Sequence, residues 1–139
     1  MHLELVTLLG IKVNTLVYEV MLPTGDGEIA VFPGHEPLVA LAIPGAIAVR
    51  VKKGDAELEY YAISGGVIEI NQSRVRVLVD EAEHGAEIIE AESKAALDRA
   101  LELRDKASSQ VELEKAHQLI DHHAVRLKVA DLHRRRRRL

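Results

Sequence analysis

Two periodicities divide the chain. From the N-terminus to about residue 80, apolar and polar positions alternate in short runs: Leu3-Glu4-Leu5, Ala48-Val49-Arg50-Val51, Leu58-Glu59-Tyr60-Tyr61-Ala62-Ile63, Val67-Ile68-Glu69-Ile70 and Arg74-Val75-Arg76-Val77-Leu78-Val79. A repeat of two sends successive side chains to opposite faces of a sheet. Lys52-Lys53-Gly54-Asp55, Ser64-Gly65-Gly66 and Asn71-Gln72-Ser73 separate the runs and read as turns. Short β-branched runs at this spacing predict an antiparallel β-sandwich over residues 1–82, with Arg and Glu on the wet faces.

After Asp80 the repeat changes to that of a helix. No Gly or Pro follows Gly85, and alanine becomes frequent. Ile89, Ala96, Ala100, Leu103 and Ala107 fall on one helical stripe, and Leu113, Ala116, Ile120, Ala124, Leu127 and Ala130 on another. Ser109 with Glu112 three residues later forms a capping-box pattern that starts a new helix. Residues 83–139 are therefore predicted to be a two-helix hairpin, with antiparallel helices at about 86–107 and 110–133. Small alanines bury little area, so the seam is expected to be weak, at ~25 cal/mol per Å². Gly85 stands at the junction as a candidate hinge.

Composition narrows the picture. The chain has 139 residues, 47% of them apolar, but only 3% aromatic and no tryptophan, so Val, Ile, Leu and Ala must build the core. With no cysteine, disulfide scaffolds, thiolate zinc sites and cysteine nucleophiles are excluded. Met1-His2-Leu3-Glu4-Leu5 has neither a basic start nor a long apolar run, so no signal peptide is expected. No stretch approaches membrane-spanning length. The net charge of -4 hides a gradient: residues 81–105 carry eight acids and three bases, whereas 106–139 carry nine bases and four acids. Arg134, Arg135, Arg136, Arg137 and Arg138 supply most of those bases, and such a tail commonly meets an acidic partner.

Candidate chemistry is sparse. Gly25-Asp26-Gly27-Glu28-Ile29-Ala30 has the spacing of a dinucleotide-binding turn, but Pro33 and Gly34 leave no room for the helix that would hold the pyrophosphate. Ser64 lacks the preceding glycine of a nucleophile elbow, and no Walker loop occurs. His117 and Asp121 share a helical face, yet His122 and His123 diverge from it, so no metal site is expected. Glu81 and Glu83, like Glu90 and Glu92, stand two apart and solvate the chain rather than pair. The basic tail has no interleaved aromatics to stack bases and no apolar anchor for lipid, so nucleic acid is not expected as a partner.

The order of several segments carries a resemblance. Leu22-Pro23-Thr24-Gly25-Asp26-Gly27-Glu28-Ile29-Ala30-Val31-Phe32-Pro33-Gly34-His35-Glu36-Pro37-Leu38 is followed by Ile43-Pro44-Gly45, by Ser64-Gly65-Gly66 and by Val77-Leu78-Val79-Asp80, then by the alanine-rich hairpin. Over nearly its whole length the chain resembles the epsilon subunit of F-type ATP synthases. The resemblance implies a non-catalytic rotor subunit, peripheral on the cytoplasmic face of a bacterial cell membrane and touching it only through the complex. Its sandwich would clamp the gamma subunit to the membrane c-subunit ring. Its hairpin would lie folded or extend toward the alpha and beta subunits of the catalytic head, braking ATP hydrolysis. The 24–37 loop would be the docking loop, stiffened by Pro33 and Gly34, with Glu28 facing the ring and His35 facing gamma. Arg126, Lys128 and Arg134 to Arg138 would form a regulatory tail against acids of the head.

Many bacterial members of that family bind ATP through Ile or Leu, Asp, two variable residues, Arg and Ala. Here Ile89-Glu90-Ala91-Glu92-Ser93-Lys94 puts Glu90 at the aspartate position and Ser93 at the arginine position, with Lys94 one residue further on. Without the arginine fork, weak or no ATP binding is expected, and no cofactor. A free-standing β-sandwich module that dimerises through its hairpin is the alternative from a different class; it would elute as a dimer on its own.

Overall fold

The structure, a computed structural model, describes residues 1–136. Ten strands precede two helices. The strands are β1 (His2–Thr7), β2 (Gly10–Leu16), β3 (Glu19–Thr24), β4 (Gly27–Val31), β5 (Leu38–Ala42), β6 (Gly45–Arg50), β7 (Glu59–Ile63), β8 (Gly66–Ile70), β9 (Arg74–Val79) and β10 (Ala82–His84). A 3-10 turn, Gly85–Glu87, leads into α1 (Glu90–Asp105) and α2 (Gln110–Arg135).

Hydrogen bonding runs in the order β10-β7-β6-β3-β5-β8-β9-β1-β2, with β4 paired to β3 beside that path. At the joint between the two layers, β3 and β5 share only the pair Thr24↔Ala42. The core lies between the layers: Leu3, Leu5, Val20, Leu22, Val31, Ile47, Ile68, Val75 and Val77 are all essentially buried. Aliphatic residues do build it, as the composition requires. One pairing departs from the antiparallel expectation. β1 lies parallel to β9, because the whole sandwich intervenes between them and no hairpin constrains their direction.

Three sequence expectations are corrected. The segment 24–37 is not one loop: its first half is the hairpin β3–β4, in which Glu28 pairs with Pro23. Gly27 adopts φ 117° to close that hairpin, a region that favours glycine. The sheet runs to His84, two residues past the expected boundary at 82, because Ala82–His84 pairs with Tyr61–Ile63. The first helix starts at Glu90 rather than 86, since Gly85–Glu87 forms a 3-10 turn and Ile88 and Ile89 are extended.

The helices stack on the sandwich in sequence. α2 packs on β7 and β6 through Val129, Ala130 and Val125 against Ala62, Ile88, Ala46 and Tyr60, and α1 packs on α2. The first stripe shifts accordingly: Ser93 and Ala100 are the buried positions of α1, while Ile89 and Leu103 are more than half exposed. On α2, Ala116 and Ala130 are buried as expected, but Ala124 is exposed and Val129 is fully buried. The reason is that α2 has two neighbours, so its apolar surface divides between α1 and the sheet. Its cap holds: Ser109 Oγ accepts from the Glu112 N–H at 3.2 Å. Glu112 in return accepts from the N–H of Ser108, not of Ser109, at 2.8 Å. The two Ser108 hydrogen bonds and Lys115 outweigh desolvation and hold the Glu112 carboxyl below the usual carboxylate range.

Candidate functional site

Two surfaces of the sandwich and one internal seam hold the residues of interest. The first surface is the remainder of the expected docking loop, Phe32–Pro37. Gly34 adopts φ 86° and its N–H donates to the Gln72 carbonyl at 2.9 Å, so the loop is tied to the β8–β9 turn. Pro33 and Gly34 are exposed, and nothing lies near the position of a Cβ on Gly34. His35 is half-buried; its N–H donates to the Phe32 carbonyl, and its Nδ1–H donates to the Glu36 carbonyl at 2.7 Å. The Phe32 ring meets Tyr18 edge-on with centroids 5.6 Å apart. Glu28 is exposed on β4, away from His35 along the chain and at the hairpin's end. The loop is thus pre-ordered by its own hydrogen bonds, which lowers the entropy lost on docking.

The second surface escaped the sequence reading. Register places Leu41 opposite Val67, Val67 opposite Leu78, Leu78 opposite Val6 and Val6 opposite Ile11. These five side chains form one apolar row across β5, β8, β9, β1 and β2 on the outward face, roughly 19 Å long at ~4.8 Å per strand. Leu41 is 72% exposed and Ile11 63%. Leu8 and Leu9, in the turn after β1, prolong it into solvent. The charges beside it are paired: Arg76 bonds Glu4 at 2.9 Å and approaches Glu69 at 3.9 Å, and Arg74 approaches Glu4 at 3.9 Å. The Arg76 bond holds the Glu4 carboxyl below the usual carboxylate range. The signal existed in the sequence as unexplained exposed positions in an alternating pattern; only register assembles them. A row of this kind on an outward face marks an interaction site.

The seam joins the hairpin to the sandwich. Arg126 donates to Glu83 on β10, Nε–Oε1 3.1 Å, and its Nη1 lies 3.4 Å from His123 Nδ1. His122 lies 3.8 Å from Glu81. At the other end Glu59 on β7 receives both Arg136 Nη1 at 2.6 Å and His84 Nε2 at 2.5 Å. His84 Nδ1 accepts from the Ala86 N–H at 3.0 Å, so Nε2 carries the ring proton that goes to Glu59. Desolvation pushes the Glu59 carboxyl up, but the bonds from Arg136 and His84 outweigh it and hold it below the usual range. Gly85 is buried with His133 directly against it: a Cβ there would stand 2.6 Å from His133 Cβ. Its role is space for the close approach of α2, a requirement distinct from the hinge freedom expected of it.

The tail expected to face an acidic partner is partly engaged within the chain. Arg126 and Arg136 pair with the sandwich, Arg134 pairs with Glu90 at 3.4 Å and with Asp131, and Arg135 pairs with Asp131 at 3.0 Å. Lys128 is exposed. Arg137 and Arg138 lie outside the described residues. The residues at the nucleotide-motif positions diverge: Ile89 is exposed, Glu90 turns toward Arg134, Ser93 is fully buried and Lys94 is exposed. No group of three or more His, Asp or Glu able to hold a metal occurs among the described residues. No helix among them is long and apolar enough to cross a membrane.

Comparison with known proteins agrees with this geometry. The family described as "ATP synthase, Delta/Epsilon chain, beta-sandwich domain" matches residues 1–85. The ATP synthase epsilon chain of Chloroflexus aggregans is 35% identical over 137 residues, covering 99% of this chain and 96% of the relative. That of Laribacter hongkongensis is 35% identical over 137 residues, covering 98% and 96%. Among solved structures, a chain of the Euglena gracilis mitochondrial ATP synthase (OSCP/F1/c-ring) superposes with TM-score 0.79 at 24% identity, covering 94% of this chain and 80% of that one. A chain of the Tetrahymena thermophila mitochondrial ATP synthase central stalk and c-ring gives 0.59 at 12% identity, with 94% and 96% covered. These two show the shared fold. A family match over the whole sandwich and one-third identity over nearly the full chain place the protein: it belongs to the ATP synthase epsilon-chain family.

Proposed function

We propose that the chain is a non-catalytic central-stalk subunit that clamps the gamma subunit to the membrane c-subunit ring, so that ion-driven rotation of the ring turns the shaft. In this reading it sits on the cytoplasmic face of a bacterial cell membrane and reaches the membrane only through the complex. The observation that carries the reading is the outward row Leu41–Val67–Leu78–Val6–Ile11 beside a pre-ordered loop on the same layer. An apolar strip of that length with a neutralised flank fits burial against a protein partner. Gamma is taken to cover the row and to meet His35, and the ring to meet Glu28.

The hairpin supplies regulation. Its hold on the sandwich rests on Val129 and Ile88, worth about 1.5–3 kcal/mol each when fully buried, together with a few partly exposed ion pairs. A few kcal/mol is the scale on which partners shift a two-state equilibrium. Released from Glu83 and Glu59, Arg126 and Arg136 join Lys128 and Arg134, Arg135, Arg137 and Arg138 as cations for acids of the alpha and beta subunits. The scattered Ile89, Glu90, Ser93 and Lys94 support a hairpin that works without bound ATP.

The test is Leu41→Asp in the full chain. Its side chain faces solvent, so the sandwich should fold with unchanged melting temperature while affinity for gamma falls at least tenfold, because a charge would be buried in an apolar interface with no partner. Wild-type affinity for gamma would remove the row from the interface.

A further inference from the structure

The hairpin seam contains a histidine whose surroundings do not tolerate a proton. His123 on α2 is half-buried and its Nδ1 faces Arg126 Nη1 at 3.4 Å. An arginine has no lone pair to give, so the Arg126 N–H donates and Nδ1 must be bare. The same guanidinium holds Glu83 on β10, through Nε and Nη2 at 3.3 and 3.2 Å to Oε2. From α1, Arg99 faces the ring, and Arg99, Glu102 and Lys106 line the groove between the helices with it. From α2, His122 stacks edge-on with centroids 4.9 Å apart and itself approaches Glu81. His123 therefore links α1, α2 and β10, and the charged group that touches its ring is the cation Arg126.

We propose that His123 is an acid-sensitive release for the hairpin: neutral, it accepts from Arg126 and lets α1 and α2 seat on the sandwich; protonated, it drives them apart. The proton comes from solvent and returns to it. Protonation at Nδ1 removes the acceptor that steadies Arg126 and adds a cation beside Arg126 and Arg99. Glu83 already serves Arg126, so it is not free to neutralise the new charge. The strain is relieved by lifting α1, by withdrawing Arg126 from Glu83, or by both.

The direction of the ring's own titration agrees. Desolvation, then His122, Arg126 and Arg99, hold the His123 imidazole below the ordinary histidine range, with Glu83 opposing them. The released hairpin returns it to about 6.5 and so binds more protons. The contribution to the seated state is complete above that value and is lost as the pH falls below it. For one site, the released-to-seated ratio can rise by at most about tenfold between pH 7.5 and 5.5.

The chain has no cysteine, so Lys53→Cys in the β6–β7 turn and Glu114→Cys on α2 can carry an energy-transfer pair in the full-length protein. The expected result is a released fraction that rises severalfold, up to that limit, from pH 7.5 to 5.5. His123→Gln, whose amide oxygen still accepts from Arg126 but never titrates, should abolish the rise. His122→Gln and Arg99→Gln, which each remove a group that disfavours the protonated ring, should shrink it without abolishing it. A flat wild-type profile, an unchanged rise in His123→Gln, or loss of the rise in His122→Gln would overturn the proposal. A direct NMR titration of the His123 ring in the wild-type chain needs no variant: a midpoint below the ordinary histidine value supports it, and one at or above that value refutes it.

Discussion

Gly85→Ala separates the two roles a junction glycine can have. The backbone at Gly85 is not in the left-handed region, so alanine loses nothing there by conformation. What it adds is a methyl group 2.6 Å from His133 Cβ and 3.1 Å from its Cγ, closer than carbon atoms approach. The position of Cβ is fixed by the backbone of the last turns of α2, so no rotamer change clears the closer contact, and α2 must shift. Overpacking of this sort costs about 1–3 kcal/mol, equivalent to roughly 5–150-fold in a two-state equilibrium. The sandwich core of Leu3, Leu5, Val75 and Val77 is remote from the change, so the cost falls on the seating of the hairpin. Amide hydrogen exchange with mass-spectrometric readout should show α1, α2 and Gly85–Ile89 exchanging faster by that factor, while β8, β9 and β1 keep wild-type protection. Unchanged hairpin protection would refute the packing role, and equal loss of protection in β9 would show that hairpin and sandwich unfold as one.

Other perturbations address the sheet, the loop and the seam. A Cβ on Gly66 would stand 1.9 Å from the Leu78 carbonyl oxygen, between paired strands, so Gly66→Ala should cost at the top of or beyond ~1–3 kcal/mol and lower the melting temperature of the whole sandwich. Gly34→Val meets no neighbouring atom but strains a φ of 86°, at about 1–2 kcal/mol locally; gamma binding should weaken while thermal stability of the core strands stays near wild type. Because Glu59 is held below the usual carboxylate range, its stabilisation of the seam is present above about pH 4.5 and is lost as the pH falls through its folded-state value; Glu59→Gln should remove that acid dependence in the energy-transfer assay. Arg136→Gln, which breaks a partly buried pair with Glu59, should raise the released fraction severalfold and lower ATP hydrolysis by the reconstituted enzyme; unchanged hydrolysis would detach the seam from the brake.

The sequence made some elements far more legible than others. β8 and β9 are runs of alternating apolar residues bounded by Gly or Asn, and their observed limits nearly coincide with the expected ones. The Gly25-Asp26-Gly27 stretch was harder, because the same glycines serve a hairpin turn or an open loop, and only pairing of Glu28 with Pro23 decides between them. Alanine stripes located the helices but not their buried faces: α2 lies between two layers, so Val129 outranks Ala124 for reasons set by the sheet beneath. The outward apolar row could not be assembled from the sequence because Val6, Leu41 and Leu78 are far apart along the chain and meet only through the register of five strands. Charge reading found Arg126 and Arg136 but not their partners within the chain, since basic residues carry no sign in the sequence of the acids that meet them on β10 and β7.

The central claim, that the chain couples ring to shaft, is tested most directly by ATP synthesis in vesicles containing the complex stripped of this subunit. Adding back the wild-type chain should restore gradient-driven synthesis and co-sediment gamma with the ring at one copy of each per complex, whereas Leu41→Asp at the same concentration should do neither. Synthesis at full rate without the chain, or a chain that elutes alone as a stable dimer and leaves gamma unbound, would contradict the account.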